Sequence, residues 1–119
     1  MNWLAIAVCV VSVFVVSSVY YSVAGHEAGD GPRPAPWQIG VELGRSALVT
    51  IVIAALVDRM DLGVGGALLL GAGLWMAFPF VLLSGSVMWD RVAVRVAATH
   101  AGDWLLKLLL ITAVIGVWR

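Results

Sequence analysis

The chain has 119 residues, of which 62% are hydrophobic and 12% are charged, and its formal net charge is zero. Its mean hydropathy of +1.03 lies outside the range of ordinary soluble domains. The length allows about four membrane-spanning helices of roughly 20 residues each and no separate soluble domain. Because no basic cluster is present, nucleic acid is not an expected partner. We therefore expect a membrane protein that is embedded in the lipid bilayer and has lipid as a partner.

The first apolar block covers about residues 3–24, with the sequence WLAIAVCVVSVFVVSSVYYSVA. Its many valines would favour a strand in water, but a lone strand in lipid leaves its backbone unpaired, so a helix is predicted. A cleaved signal peptide is the alternative, because the segment ends on small residues. The uncharged start and the long apolar core favour a retained helix. The single Cys9 lies among valine and alanine, which is typical of a packed, inert thiol.

A loop rich in glycine and proline follows at residues 25–37, GHEAGDGPRPAPW. His26, Glu27 and Asp30 could help to hold a metal ion, but their spacing matches no dedicated metal motif. A solvated loop is the preferred interpretation. We predict no metal site and no cofactor.

Three further helices are predicted over about 38–57, 64–88 and 91–118, separated by the short charged turns DRMDLG and WDR. Pro79 should bend the third helix because it cannot donate a backbone hydrogen bond to the preceding turn. The whole chain, residues 1–119, is thus expected to form a single all-α domain, a compact bundle of four transmembrane helices.

Polar side chains concentrate in one half of this bundle, where serines and tyrosines at the end of the first helix also fall. At about 100 degrees per residue, His100, Asp103 and Lys107 share one face of the fourth helix. Asp103 and Lys107 are spaced i,i+4 with the acid first, which favours an ion pair. The predicted polar intramembrane cluster comprises Glu42, Arg45, Ser46, Thr50, His100, Asp103 and Lys107.

Two interpretations of this cluster are open. A central Asp or Lys costs a membrane helix about 2.5 to 3.5 kcal/mol, while each aliphatic residue returns only about 0.3 to 0.6, so neighbouring helices should hold the fourth helix in place. The cluster is structural if Asp103 and Lys107 neutralise each other while Glu42 pairs with Arg45. It is functional if these groups serve a substrate, ion or proton. For His100, a hydrogen bond between helices is preferred to a metal-ligand or proton-relay role.

Small residues recur four positions apart, a spacing that lets membrane helices approach closely within one bundle or between subunits. The pairs Ala67–Gly71 and Gly73–Ala77 show this spacing on the third helix. Four short helices bury little interior, so we expect a homo-oligomer or a subunit of a larger membrane complex. The predicted helix-packing residues are Gly40, Gly44, Ala98 and Gly102.

The order of several motifs resembles the family known as domain of unknown function 1761 (DUF1761). These motifs are MNWLAI, a first helix ending in YYS, ELGRS, LGAGLWMAFPF, WDR and the final HAGDWLLKLLLITAVIGVWR. The resemblance covers nearly the whole chain and implies a four-helix bacterial membrane protein with no established activity. The family typically shows NAGY where this chain has HAGD, so His100 and Asp103 depart from its pattern. No functional role is carried over onto them.

Location and orientation follow from the resemblance and from the arginines. A bacterial inner membrane protein with four spans has both termini on one side. On the side of the first and third loops lie Arg33, Arg91 and Arg95, with Arg45 added if the second helix starts late. On the side of the termini lie Arg59, Arg119 and the amino terminus. The positive-inside rule therefore predicts cytoplasmic loops and extracytoplasmic termini.

Enzymatic motifs are not found, since the chain has no activated serine or cysteine, no HExxH and no P-loop, so we predict no catalytic residues and no enzyme. Two functions compete. The first is a non-enzymatic membrane subunit or scaffold that assembles through small-residue helix faces. The alternative is a small transporter or channel-like protein with a half-membrane polar vestibule for a proton, an ion or a small polar solute.

Overall fold

A computed structural model describes residues 2–24 and 35–118, so His26, Glu27 and Asp30 of the first loop lie outside the described residues. The third and fourth helical segments follow one another as one span, which gives four spans long and apolar enough to cross a membrane. The predicted all-α bundle of four spans is confirmed. The helical segments are α1 (Trp3–Ala24), α2 (Pro36–Met60), α3 (Val64–Ala77), α4 (Pro79–Trp89) and α5 (Val94–Val117).

The second helix is longer at both ends than the predicted 38–57. It begins at Pro36, whose missing N–H is no loss in the first turn of a helix. The Ala35 N–H donates to Gln38 Oε1 at 2.8 Å and so caps this end. At the other end Asp61 adopts a left-handed conformation with φ of 50°, which terminates α2.

The last helix begins at Val94 and not at Arg91, which corrects the predicted boundary. Arg91 has a positive φ of 56°, a conformation that a helix interior does not allow. The Val92 N–H turns back to the Ser86 carbonyl at 3.2 Å, which closes the end of α4. The corner between α4 and α5 therefore extends beyond the WDR motif into the first residues of the predicted helix.

Pro79 divides the third span into two helices, whereas the sequence predicts a bend within one helix. The Phe78 N–H donates to the Leu74 carbonyl at 3.0 Å and ends α3. Pro79 is then the first residue of α4, where its lack of an N–H is tolerated. The Leu82 N–H donates to the Phe78 carbonyl at 2.8 Å, so the ladder resumes within one turn.

Helix α5 is the central element, since it packs against α1, α2, α3 and α4, while α1 and α2 also contact each other. Ser17 meets Asp103 and Tyr21 meets His100, so α1 runs antiparallel to α5. The helix that carries the intramembrane charges is therefore the one most completely surrounded by protein. The buried apolar core comprises Ala5, Ile6, Cys9, Val13, Ile53, Ala54, Val57, Ala67, Leu108, Ile111 and Ile115.

The outer surface of the bundle is apolar. Helix α4 has no buried residue, and several of its side chains, such as Val81 and Leu82, are exposed. Tryptophans are exposed close to the helix ends, where aromatic anchors meet the membrane interface. Lipid is therefore the natural solvent of this surface. These tryptophans are Trp3, Trp37, Trp89 and Trp118.

Candidate functional site

Asp103 is the centre of the polar site, and it is 2% exposed. One of its carboxylate oxygens, Oδ2, lies 3.0 Å from Lys107 Nζ on the next turn of α5. The other, Oδ1, accepts a hydrogen bond from Ser17 Oγ of α1 at 2.5 Å. Both oxygens are thus partnered, as a buried carboxylate requires.

Lys107 links α5 to α2. Its ammonium lies 3.6 Å from Glu42 Oε1, and the other oxygen of Glu42 lies 3.0 Å from Arg45 Nη1. The same ammonium lies 4.9 Å from the centroid of the Trp104 ring, a cation–π distance. Two acids and two bases therefore form one neutral network across two helices.

Two tyrosines join the end of α1 to the start of α5. The Tyr20 hydroxyl donates to the Thr99 carbonyl at 2.8 Å, and the Tyr21 hydroxyl lies 2.7 Å from His100 Nδ1. Gly102 makes the first contact possible, because a Cβ at this position would collide with the Tyr20 hydroxyl. His100 thus takes part in a contact between helices at the exposed edge of the site.

Ser17, Tyr20 and Tyr21 contribute to the site, although the cluster predicted from the sequence does not include them. They are spaced i, i+3 and i+4 on α1, so they share one helix face. An antiparallel packing of the first and last helices then places that face beside Asp103. Their spacing is visible in the sequence, but the sequence does not show which helix packs against the last one.

Ser46 and Thr50 are buried in α2, yet they do not join the charged network. The Thr50 hydroxyl donates to the Ser46 carbonyl of its own helix at 2.7 Å. Both side chains belong to the inner face of α2, which is buried in the bundle. Both side chains fill space next to the network, and the Thr50 hydroxyl satisfies its polarity within its own helix.

The predicted small-residue positions divide into inner and outer ones. Gly102 faces α1 inside the bundle, whereas a Cβ at Gly40 or Gly44 would meet nothing within 4 Å. Ala98 is exposed. The pair on α2 is therefore free of contacts within the described part of the chain.

A small pocket lies between α2 and α5, with α1 behind it. It has room for about one water molecule. Among the described residues, no buried side-chain nitrogen or oxygen lacks a partner, and no group of three or more potential ligands could hold a metal ion. The pocket is lined by Val13, Glu42, Arg45, Ser46, Val49, Trp104, Lys107 and Ile111.

Comparison with known proteins finds one family. A family model described as a protein of unknown function (DUF1761) matches residues 4–116. No curated protein and no solved structure matches. The match extends over all the helical segments almost from end to end, so it concerns the entire bundle and not one motif.

Proposed function

The chain belongs to the DUF1761 family, whose function is unknown, and we propose that it is a non-enzymatic subunit or scaffold of a membrane assembly. In this proposal it contacts its partner through the glycine face of α2, defined as Gly40, Gly44 and Leu48. These three residues lie within about 80 degrees of one another around the helix. The partner is a transmembrane helix of a second copy or of another chain.

One observation carries this proposal: Gly71 of α3 serves a contact inside the bundle, whereas both glycines of the α2 pair lie on its outer surface. At Gly71 a Cβ would lie 2.8 Å from Thr112 Oγ1, so this glycine is needed for the contact between α3 and α5. Among the described residues, no atom would lie within 4 Å of a Cβ at Gly40 or Gly44. Because lipid gives no hydrophobic driving force between helices, close backbone approach at small residues is a principal means of association.

The polar network supports the same interpretation. Its two acids and two bases neutralise one another, and the pocket beside them has room for about one water molecule. A neutral, fully partnered cluster is suited to holding α1, α2 and α5 in register. If the cluster serves to hold the helices together, the outer surface of the bundle is the part that binds a partner.

The test replaces the glycine face and compares it with a matched surface. Gly40→Leu combined with Gly44→Leu should lower the fraction of assembled protein at least tenfold, because each leucine holds the partner helix away. Gly65→Leu combined with Gly73→Leu is the control, since a Cβ at those glycines on α3 also meets no atom of the described chain within 4 Å. Native mass spectrometry of protein extracted directly into nanodiscs measures the assembly, and circular dichroism checks the helix content.

Two results would overturn the proposal. One is a wild-type protein that is extracted as a monomer without any other chain. The other is an assembly that survives leucine at both Gly40 and Gly44 while the α3 control behaves identically.

A transporter is the second candidate, favoured by the position of the pocket beside the charges. Glu42, Arg45 and Lys107 line the polar end of that pocket in one half of the bundle. Opening of the seam between α2 and α5 would turn it into a vestibule for a proton, an ion or a small solute. Flux measurements in liposomes, made on a variant that lacks both Asp103 and Lys107, separate this candidate from the scaffold.

A further inference from the structure

Ser46 of α2 is 7% exposed, and its hydroxyl does not bond its own helix. Other helical serines and threonines do so: the hydroxyls of Ser18 and Thr112, for example, donate to carbonyls four residues earlier. Ser46 accepts the bond from Thr50 with its carbonyl. Among the residues that the structure describes, the Ser46 hydroxyl has no hydrogen-bond partner. A buried hydroxyl costs free energy unless something bonds it.

The oxygen of this hydroxyl borders the pocket between α2 and α5. Every polar side-chain atom that is wholly enclosed has a partner within the described part of the chain. An oxygen that has none must therefore border free space. Ser46 lines the pocket, which has room for about one water molecule. The hydroxyl and the size of the pocket together indicate an occupant that is as small as water and forms hydrogen bonds.

Lys107 and Glu42 give this pocket two further polar partners. The Lys107 ammonium lies 3.6 Å from Glu42 Oε1, which is too far for a direct hydrogen bond. The ammonium has three N–H donors, and its contact with Asp103 Oδ2 at 3.0 Å uses one of them. A water molecule beside this gap can accept from Lys107, donate to Glu42 and bond Ser46. Three partners are the usual number for a buried water.

The charges around the pocket favour a neutral occupant over an ion. Lys107 and Arg45 repel a cation, and Glu42 repels an anion. The network already pairs two acids with two bases, so an ion would bring an uncompensated charge into a largely buried site. Val13 and Ile111, each 1% exposed, close the apolar side, so a longer molecule does not fit. Water is neutral, small enough, and both donates and accepts.

We propose that the pocket binds a single water molecule that links α2 to α5. The water accepts a hydrogen bond from the Lys107 ammonium, donates one to Glu42 Oε1, and forms the third with the Ser46 hydroxyl. The ion pair of α2, Glu42 and Arg45, is thereby joined to the buried ion pair of α5 through hydrogen bonds. This site goes beyond the scaffold proposal and does not depend on it.

The direct test is a crystal structure of the wild-type protein in a lipid phase, at a resolution that shows ordered water. We expect one density peak within about 3.2 Å of Lys107 Nζ, Glu42 Oε1 and Ser46 Oγ. Crystals grown with sodium bromide and with rubidium chloride identify the peak, because both heavy ions scatter anomalously. A pocket without a peak, or an anomalous signal of bromide or rubidium in it, would overturn the proposal.

Ser46→Ala is the test in solution, because a bound water and an empty pocket predict opposite results. If the pocket is empty, alanine removes a hydroxyl without a partner and favours the helix, so stability should stay equal or rise. If the water is bound, alanine removes one of its three hydrogen bonds. The equilibrium constant for unfolding in mixed micelles should then rise about fivefold.

Ser12→Ala is the matched control, since Ser12 is a half-buried serine of α1 that does not line the pocket. It should change the unfolding constant by less than about twofold. An unfolding constant of Ser46→Ala that equals or falls below that of the wild type would reject the water. Because the density peak is sought in wild-type crystals, a variant that fails to fold does not protect the proposal. Gly40 and Gly44 are intact in Ser46→Ala, so the scaffold proposal is tested separately.

Discussion

At the scale of single residues, the main feature is a buried acid with two partners. One partner lies on a neighbouring helix and the other on the next turn of the same helix. Asp103 accepts from Ser17 of α1 and pairs with Lys107 of α5, which in turn reaches Glu42 of α2. Removing the base would leave a carboxylate without its charge partner in a site that water hardly reaches. Removing both charges would leave an apolar contact beside the Ser17 hydroxyl. Removing the base alone should therefore destabilise the protein strongly, whereas removing both charges should cost much less.

The first prediction tests this asymmetry. Lys107→Met should lower the free energy of unfolding by about 3 kcal/mol, because it leaves Asp103 buried without its base. Adding Asp103→Leu should restore most of the loss, which makes the two substitutions strongly non-additive. Unfolding by SDS in mixed micelles measures these values, with Arg59→Met as the control that changes stability by less than about 0.5 kcal/mol.

The same double variant separates the two candidate functions. If the protein is a scaffold, the refolded double variant should assemble as wild type does. If it is a transporter, the variant should fold and yet lose the flux of protons or ions into reconstituted liposomes. If the loss of stability in the double variant equals the sum of the losses in the two single variants, the structural role assigned to the ion pair is contradicted.

At the scale of helices, α3 and α5 pack closely because small residues face each other. A Cβ at Gly116 would lie 2.9 Å from the Val64 Cα, and one at Gly71 would lie 3.2 Å from the Leu108 carbonyl oxygen. Thr112, which faces Gly71, is fully buried and donates its hydroxyl to the Leu108 carbonyl at 2.7 Å. A side chain held in this way cannot rotate aside without losing that bond.

The second prediction compares two glycines of α3 that lie on opposite sides. Gly71→Ala should cost about 1 to 3 kcal/mol of stability, because the new methyl group overpacks the contact with Thr112. Gly73→Ala should be neutral or stabilising by up to about 1 kcal/mol, since alanine favours a helix and no atom of the residues that the structure describes would lie within 4 Å of its Cβ. The free energy of unfolding in micelles is the readout.

A coupled variant tests the cause. Thr112→Ala should recover part of the loss in the Gly71→Ala background, because it removes both of the nearest atoms and leaves the Leu108 carbonyl oxygen. Equal effects at Gly71 and Gly73 would show that close packing does not hold α3 against α5.

At the scale of the whole molecule, we expect Asn2 and Trp118 to lie on one side of the membrane if all four spans cross it. The turn after α2 would then share that side, and the corner at Asp90 would lie opposite. The balance of arginines favours extracytoplasmic termini. This orientation would place the network of Asp103 and Lys107 in the cytoplasmic half of the bilayer, since it lies nearer the start of α5 than its end.

The third prediction maps this orientation with single cysteines. Asn2→Cys and Trp118→Cys should react with an impermeant maleimide in intact cells, and Asp90→Cys should react only after permeabilisation. The native Cys9 is 0% exposed and should stay unlabelled in every sample. Labelling of Asp90→Cys alone in intact cells would show the opposite orientation, and labelling of only one terminus would contradict four spans.

The sequence by itself determined the number of spans and the local ion pair. In lipid each span must satisfy its backbone internally, so a long apolar segment identifies a helix without knowledge of its neighbours. The pairing of Asp103 with Lys107 follows from the i,i+4 spacing within one helix. The predicted start of the last helix at Arg91 is wrong because the positive φ of this residue depends on the turn and leaves little trace in residue type.

The tertiary structure alone decided which residues meet across helices. A helix that is apolar on all sides, as α1 and α3 nearly are, has no face that hydropathy marks as the inner one. The rotation of each helix about its axis therefore had to come from packing. That rotation brings Ser17 and Glu42 to the buried charges. It also turns Gly71 and Gly102 inward and leaves Gly40 and Gly44 facing outward. The sequence does not distinguish these glycines, because only close contact between specific shapes decides which of them faces the interior.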